Sequence, residues 1–220
     1  MPSCYVATYR PAIRNRYGRE AVRLHGIPPF VDSSCRREPD FESRYPSITA
    51  TCRGHLFAPR LHVGDRVAFL TVKGRYLNDA AAGWRLVALL KVIQRFNDHA
   101  EAATWYQTQG LPLPSNCMVP GNGPKPLEQT NREAPAAVRA RLARHKDARQ
   151  IIRLWNAVYA SRVKATPVFI ATEAEYLDLR TPALLSDADM RLVFGTIPAT
   201  LNPPKVDCAK LQQLRRVAGV

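Results

Sequence analysis

LHVGDRVAFLTVKGRYLNDAAAGWRLVALLKVIQRFNDHAEAATWYQTQG, residues 61–110, contains a turn, a strand, a loop, a second strand and a helix in series. Val63-Gly64-Asp65 makes the turn. Arg66 to Val72 is rich in Val, Phe, Leu and Thr and reads as a strand. Trp84 to Ile93 is a second apolar run. The helix then starts behind Asp98, whose carboxylate suits the backbone N–H of Glu101, with Glu101 placed to reach back in a capping box. Gly110 tolerates the left-handed conformation that ends a helix, and Pro112 prevents restart.

Upstream, Cys4 to Tyr9 (CYVATY) reads as a first strand, and Ser47 to Cys52 (SITATC) alternates as a strand does. Between them, Arg10 to Arg23 holds five arginines and one acid, Glu20, in a basic loop or short helix. Pro28-Pro29 stops any helix. A polar loop dense in donors follows, from Asp32 to Pro39. Downstream, Leu111 to Pro126 is proline-rich and irregular. Glu133 to Lys164 reads as one long helix, or two with a break near Asp147. Ile151, Ile152, Leu154, Trp155, Val158 and Tyr159 form its apolar face. Pro167 to Ala171 reads as a strand, Leu184 to Phe194 as a short helix followed by a strand, and Leu211 to Val217 as a terminal helix.

The chain is long enough at 220 residues to bury a core as one domain with an elaboration. No window approaches the ~18 consecutive apolar residues of a membrane span. The N-terminus lacks a signal-peptide apolar core, and the five cysteines are odd in number and widely spread. Together these point to a cytoplasmic protein without a disulfide framework. The formal net charge is +14 and the isoelectric point near 10.1, which predicts attraction to polyanions, nucleic acid first among them. The charge is also clustered. Nine basic residues between 132 and 164 are opposed only by Glu133 and Asp147, so this segment supplies +7, half the total.

Catalytic patterns are weak. Cys52, His55 and His62 offer three zinc ligands where a structural site needs four. Asp40 and Glu42 sit in a loop without the further carboxylates and lysine of a metal-dependent nuclease. Cys117 with His99 has no local signature of a nucleophile pair. No Walker loop, dinucleotide glycine pattern or His-Glu-x-x-His motif is present, so neither cofactor nor metal is expected.

Aromatic and polar residues suggest binding instead. Tyr76 and Trp84 flank the loop between the two central strands, where they suit either a core or a base-stacking pocket. Trp105 suits core packing. Ser34, Cys35 and Arg36 lie in the donor-rich loop, and Asn116 offers both a donor and an acceptor to a base edge, or makes a turn. Arg37, Arg60, Lys73, Arg141, Arg144, Lys146 and Arg149 are candidates to meet the phosphate backbone.

The stretch Val63-Gly64-Asp65-Arg66-Val67-Ala68-Phe69, the strand Leu86 to Val92 and the helix with Ala100-Glu101-Ala102-Ala103 resemble the PUA-like superfamily of EVE, ASCH and YTH domains. The phrases SCRREPDFES (34–43), FAPRLHVGD (57–65), TVKGRY (71–76) and LPLPSNC (111–117) are similar to its nucleotide-modification-associated branch. The resemblance implies an α+β fold: a small, strongly curved β-barrel formed by about 4–120 and 165–200, with packed helices and a basic helical insertion at about 133–164. It implies a rim pocket for a flipped, modified base, with Tyr76 and Trp84 as counterparts of an aromatic cage. The expected function is therefore recognition of a base in DNA or RNA. The alternatives are a nucleotide- or nucleic-acid-processing hydrolase on an ASCH-like scaffold, drawing on the Ser34–Arg37 loop and Lys73, and a basic structural subunit whose 133–164 helix docks a protein partner.

Overall fold

The computed structural model describes residues 2–51, 57–132, 147–198 and 202–220. The central pair forms where the sequence places it. β3 (Arg66–Thr71) runs antiparallel to β4 (Trp84–Phe96), and a bridge between Gly74 and Gly83 closes the loop between them. β4 is longer than expected because its second half serves another partner. β5 (Phe169–Leu177) pairs antiparallel with residues 88–96, and β6 (Ala183–Leu185) continues along the same side at 84–86. β1 (Cys4–Tyr9) adds to β3 in parallel, with Lys205–Val206 (β7) beyond it; β2 (Ser47–Thr49) lies outside β5. The order β2-β5-β4-β3-β1-β7 is an open mixed sheet in an α+β fold.

Closure into a barrel is not present among the described residues. The edge of β2 is taken by a loop instead of a strand. Asp40 and Ser47 exchange backbone hydrogen bonds at 3.0 and 2.9 Å, and the Thr49 N–H donates to the Glu38 carboxylate at 3.0 Å. An unpaired edge is a template for aggregation, and a covering loop is one way to protect it. The loop also reaches the far side of the sheet. The Phe41 ring meets Tyr9 of β1 edge-on at 5.4 Å and Phe69 of β3 at 5.5 Å.

Strand alternation splits the core between the two faces. Tyr5, Ala7, Tyr9, Val67, Phe69 and Ile48 share one cluster with Phe30, Phe41, Phe57 and Tyr76. Cys4, Val6, Ala68, Leu70 and Trp84 face the other way, onto α4 (Asp187–Phe194) and α5 (Cys208–Ala218). The expected order at 184–194 is reversed: strand β6 comes first, and Ser186 then caps α4 in a full capping box with Asp189. α2 (His99–Thr108) is capped by Asp98, which accepts from the N–H groups of Ala100 and Glu101. Glu101 reaches one residue further back than expected, to the N–H of Asn97 at 2.9 Å. Trp105 packs against Tyr45 and Phe96, as expected of a core residue. Cys4 and Cys208 are joined in a disulfide, Cα atoms 5.2 Å apart, which the odd and widely spread cysteines did not lead one to expect, while Cys35 and Cys117 are free thiols. A separation of 204 residues leaves no local pattern to announce that pairing. Among the described residues no helix is long and apolar enough to cross a membrane.

α1 (Arg16–His25) realises the arginine-rich segment as a helix. Its inner face is made of small residues, Gly18 and Ala21, which let it lie against Ala12. A Cβ on Gly18 would stand 1.6 Å from the Ala12 carbonyl oxygen. Gly18→Ala is therefore expected to destabilise the protein by about 3 kcal/mol through overpacking. Gly123→Ala, where a Cβ meets nothing within 4 Å, should stay within about 0.5 kcal/mol of wild type. Urea midpoints of the two variants check this; equal midpoints would mean that α1 does not dock through Gly18.

Candidate functional site

The SCRREPDFES loop is almost wholly buried, and it works as a set of internal ties. Arg36, 3% exposed, donates from Nε to the Asn156 side chain at 2.9 Å and from Nη1 to the carbonyls of Ser115 and Asn122 at 2.8 and 3.0 Å. Arg37, 1% exposed, donates to the carbonyls of Asp32, Ser34 and Gln129 and pairs with Glu42 at 3.2 Å. Asp40 accepts from the N–H and hydroxyl of Ser115 at 2.7 and 2.6 Å. Asn116 spends its amide on the hydroxyl and carbonyl of Ser47 and on Glu38. A buried guanidinium is tolerable only when its donors are met, and carbonyl oxygens at loop ends meet them here.

Arg36 reaches the Ser115–Asn116 segment, Ser34 turns to Asp32 and the Arg36 carbonyl, and Asn116 to Ser47 and Glu38. Cys35, Arg36 and Asn116 present no open pocket to a base. Tyr76 and Trp84 fall on different core clusters. The Tyr76 hydroxyl donates to the Val72 carbonyl at 2.5 Å and its ring meets Phe30; Trp84 lies under the Lys73 ammonium at 5.0 Å. The aromatic cage of both residues is not assembled, because the strand pleat turns Trp84 away from the face that Tyr76 caps.

Glu38 carries the strongest electrostatic signal in this centre. Burial pushes its carboxyl up to about 8, against the lowering effect of hydrogen bonds from Thr49, Thr51 and Asn116. The neutral form is the one the fold favours. The native state keeps a proton that the unfolded chain, with a carboxyl near 4.3, releases. Stability from this group is fully present below about pH 4.3 and is lost as pH rises to about 8, with a slope of up to about 1.4 kcal/mol per pH unit. Denaturation of wild type and Glu38→Gln across pH 5–8 should show that slope in the wild type minus the variant. A flat difference would mean that Glu38 is charged in the fold.

The enzymatic readings lose their residues. The Cys117 thiol donates to the His99 backbone carbonyl at 3.4 Å, and His99 Nδ1 accepts from the Met118 N–H, so no Cys–His pair forms. Burial pushes Cys35 and Cys117 up to about 12 and His99 down to about 4. Asp40 and Glu42 are occupied by Ser115 and by Arg37 with Lys125, so they do not converge on open space. Of the zinc candidates, Cys52 and His55 lie outside the described residues, and no group of three metal-ligating side chains occurs among the described ones.

The phosphate candidates divide. Arg37 is buried and cannot reach solvent. Arg60 stacks on Tyr5 and donates to Asn202 and Pro203; Lys73 pairs with Asp187. Arg141, Arg144 and Lys146 lie outside the described residues. Arg149 is exposed in the first turn of α3 (Ala148–Ala165), which Asp147 caps, so the break near Asp147 is a helix start. α3 buries Trp155 and Tyr159 against Cys35 and leaves Arg149, Arg153 and Lys164 exposed.

α1 and α3, both rich in exposed cations, are linked through one short turn. Both helices contact the turn Leu127–Gln129. Asn15 Nδ2 donates to the Asn131 carbonyl, and Arg132 lies over the Tyr17 ring at 5.3 Å. Arg10, Arg14, Arg16, Arg19 and Arg23 are all exposed. Residues 10–23 carry +4 and 132–164 carry +7, so the two segments hold +11 of the chain's +14. Beside the first of them is a cavity of about 110 Å³ lined by Arg10, Pro11, Arg14, Asn15, Ser33 and Asn131. A second cavity, about 320 Å³, lies against α5 and is lined by Arg66, Glu175, Leu211 and Arg215 among others. From sequence, Arg10–Arg23 reads as a basic loop or short helix, and the density of its arginines is the available signal. Comparison with protein-family models, with curated proteins and with solved structures finds no match to this chain.

Proposed function

We propose that this protein is a nucleic-acid-binding module whose contact face is built by α1, α3 and the turn between them. The carrying observation is that two basic helices distant in sequence, α1 and α3, pack against one short turn; residues 10–23 carry +4 and residues 147–164 carry +3. Cations concentrated on one side neutralise a row of phosphates and release condensed counterions. The buried loop 32–42 is the scaffold that holds the face: Arg36 ties it to α3 through Asn156, and Arg37 ties it to the turn through Gln129.

A strongly curved, PUA-like sheet suits this reading. Strands β1 and β2 are four steps apart in the sheet, about 19 Å if it were flat. The Asp40-Phe41 dipeptide nevertheless spans from the β2 edge to the Tyr9 ring of β1, which favours a curled sheet. Inspection of a base by Tyr76 and Trp84 is not part of the proposal, since both rings are packed inside.

Titrating a labelled single-stranded oligonucleotide at 50 and 200 mM salt tests the reading. Four or more phosphate contacts should cost affinity roughly 100-fold over that range. Affinity that ignores salt, or no binding at low salt, would overturn it.

A further inference from the structure

The 110 Å³ cavity beside α1 has a chemistry of its own. Two exposed arginines, Arg10 and Arg14, the latter held by Nη1 donating to the Lys73 carbonyl at 3.3 Å and the Tyr76 hydroxyl at 3.4 Å, line it with Asn15, Ser33 and Asn131. Its backbone frame is fixed. The Ser33 N–H donates to the Arg10 carbonyl at 3.3 Å, the Asn131 N–H to the Ser33 carbonyl at 3.0 Å, and Pro11 bridges Asp32. Ser33 is 5% exposed, and its hydroxyl accepts from Asn131 Nδ2 at 3.1 Å. Among the described residues, Asp32 Oδ1 accepts from Ser34 and Glu20 faces Arg132 at 3.9 Å. The lining therefore joins the positive charge of Arg10 and Arg14 to a frame of Asn15, Ser33 and Asn131 tied to one another, and it includes no carboxylate.

That composition selects a small oxyanion. Arginine is suited to phosphate because its planar fork presents several N–H donors at once. An internal phosphodiester carries one negative charge and must continue in two directions, so a groove open at both ends serves it best. A phosphate monoester is close to dianionic at neutral pH, offers three non-ester oxygens and has a single link to the rest of its molecule. A small cavity with two arginines at it matches the second case.

We propose that this cavity receives the terminal phosphate monoester of a nucleic-acid chain, with Arg10 and Arg14 clamping its oxygens while α1 and α3 hold the following phosphates. This rests on the nucleic-acid reading above and adds the polarity of the bound strand. The test compares one oligonucleotide with a 5′-phosphate, a 3′-phosphate or hydroxyls at both ends, binding wild type, Arg10→Ala and Arg14→Ala. Both arginines are exposed, so the fold should survive either change. Wild type should prefer one phosphorylated end by about tenfold over the hydroxyl form, and each variant should reduce that preference to about twofold or less. Equal binding of all three oligonucleotides overturns the inference while leaving the nucleic-acid reading intact; no binding of any overturns both. A preference that persists in both variants would place the phosphate elsewhere. A nucleoside monophosphate that binds as tightly as the phosphorylated oligonucleotide would identify a free mononucleotide as the ligand and overturn the chain-end assignment.

Discussion

Arg36→Ala should cost about 3–5 kcal/mol of stability, the largest loss expected from any single substitution in the described chain. The guanidinium joins its own loop to two other pieces of structure: the proline-rich crossing, through Ser115 and Asn122, and α3, through Asn156. Truncation leaves those oxygens buried without a donor and opens a void beside Cys35 and Trp155. Charge-assisted hydrogen bonds contribute about 1.5–3 kcal/mol each when intact, and the losses do not add fully because the loops relax. Arg36→Lys should recover only part of the loss, since an ammonium is a compact point donor and cannot span three acceptors set around a planar fork. Urea denaturation of the two variants decides it. A loss below about 1 kcal/mol for Arg36→Ala would mean that the buried centre does not hold α3 in place.

Reversing four exposed charges, Arg16→Glu, Arg19→Glu, Arg149→Glu and Arg153→Glu together, should weaken nucleic-acid binding by about 10²–10³-fold at low salt. It should also reduce the steepness of the salt dependence by about four contacts' worth. All four side chains are exposed. Arg16 and Arg149 lie in the first turns of α1 and α3, where a carboxylate complements the helix dipole. The helices themselves should therefore tolerate the change, and loss of binding would report on the face and not on unfolding. An unchanged denaturation midpoint with lost affinity is the expected pairing of results.

The legible part of the fold was local. The β3–β4–α2 series follows from a Gly-Asp turn, apolar runs and a capping aspartate, all within fifty residues. Ser186 with Asp189 three residues on was an equally local signal for the start of α4, and it would have put strand before helix at 184–194. What could not be read is long-range. Nothing near Cys4–Tyr9 says that it pairs in parallel with β3, and nothing near Glu38 says that its carboxylate will serve as the missing neighbour of β2. Arg36 and Arg37 were misread for a physical reason: charged side chains are rarely buried, so paired arginines in a polar loop look like surface. The aromatic pair failed differently. Tyr76 and Trp84 are close in sequence, but strand pleating and the hairpin loop send them to different clusters. Clustered charge is legible in the sequence because it is a property of composition and does not depend on placing single side chains.

Location of charge, as distinct from its amount, is what the account stands on. The direct measurement is a titration of one oligonucleotide against three proteins: wild type, the four-charge reversal on α1 and α3, and a matched reversal of Lys205, Lys210, Arg215 and Arg216 at β7 and α5, where α5 packs on the other face of the sheet. Both variants change the net charge equally. The predicted result is near-complete loss of binding for the first variant and retention within about tenfold for the second. Equal losses in the two variants would show that only net charge matters and would contradict the proposed face.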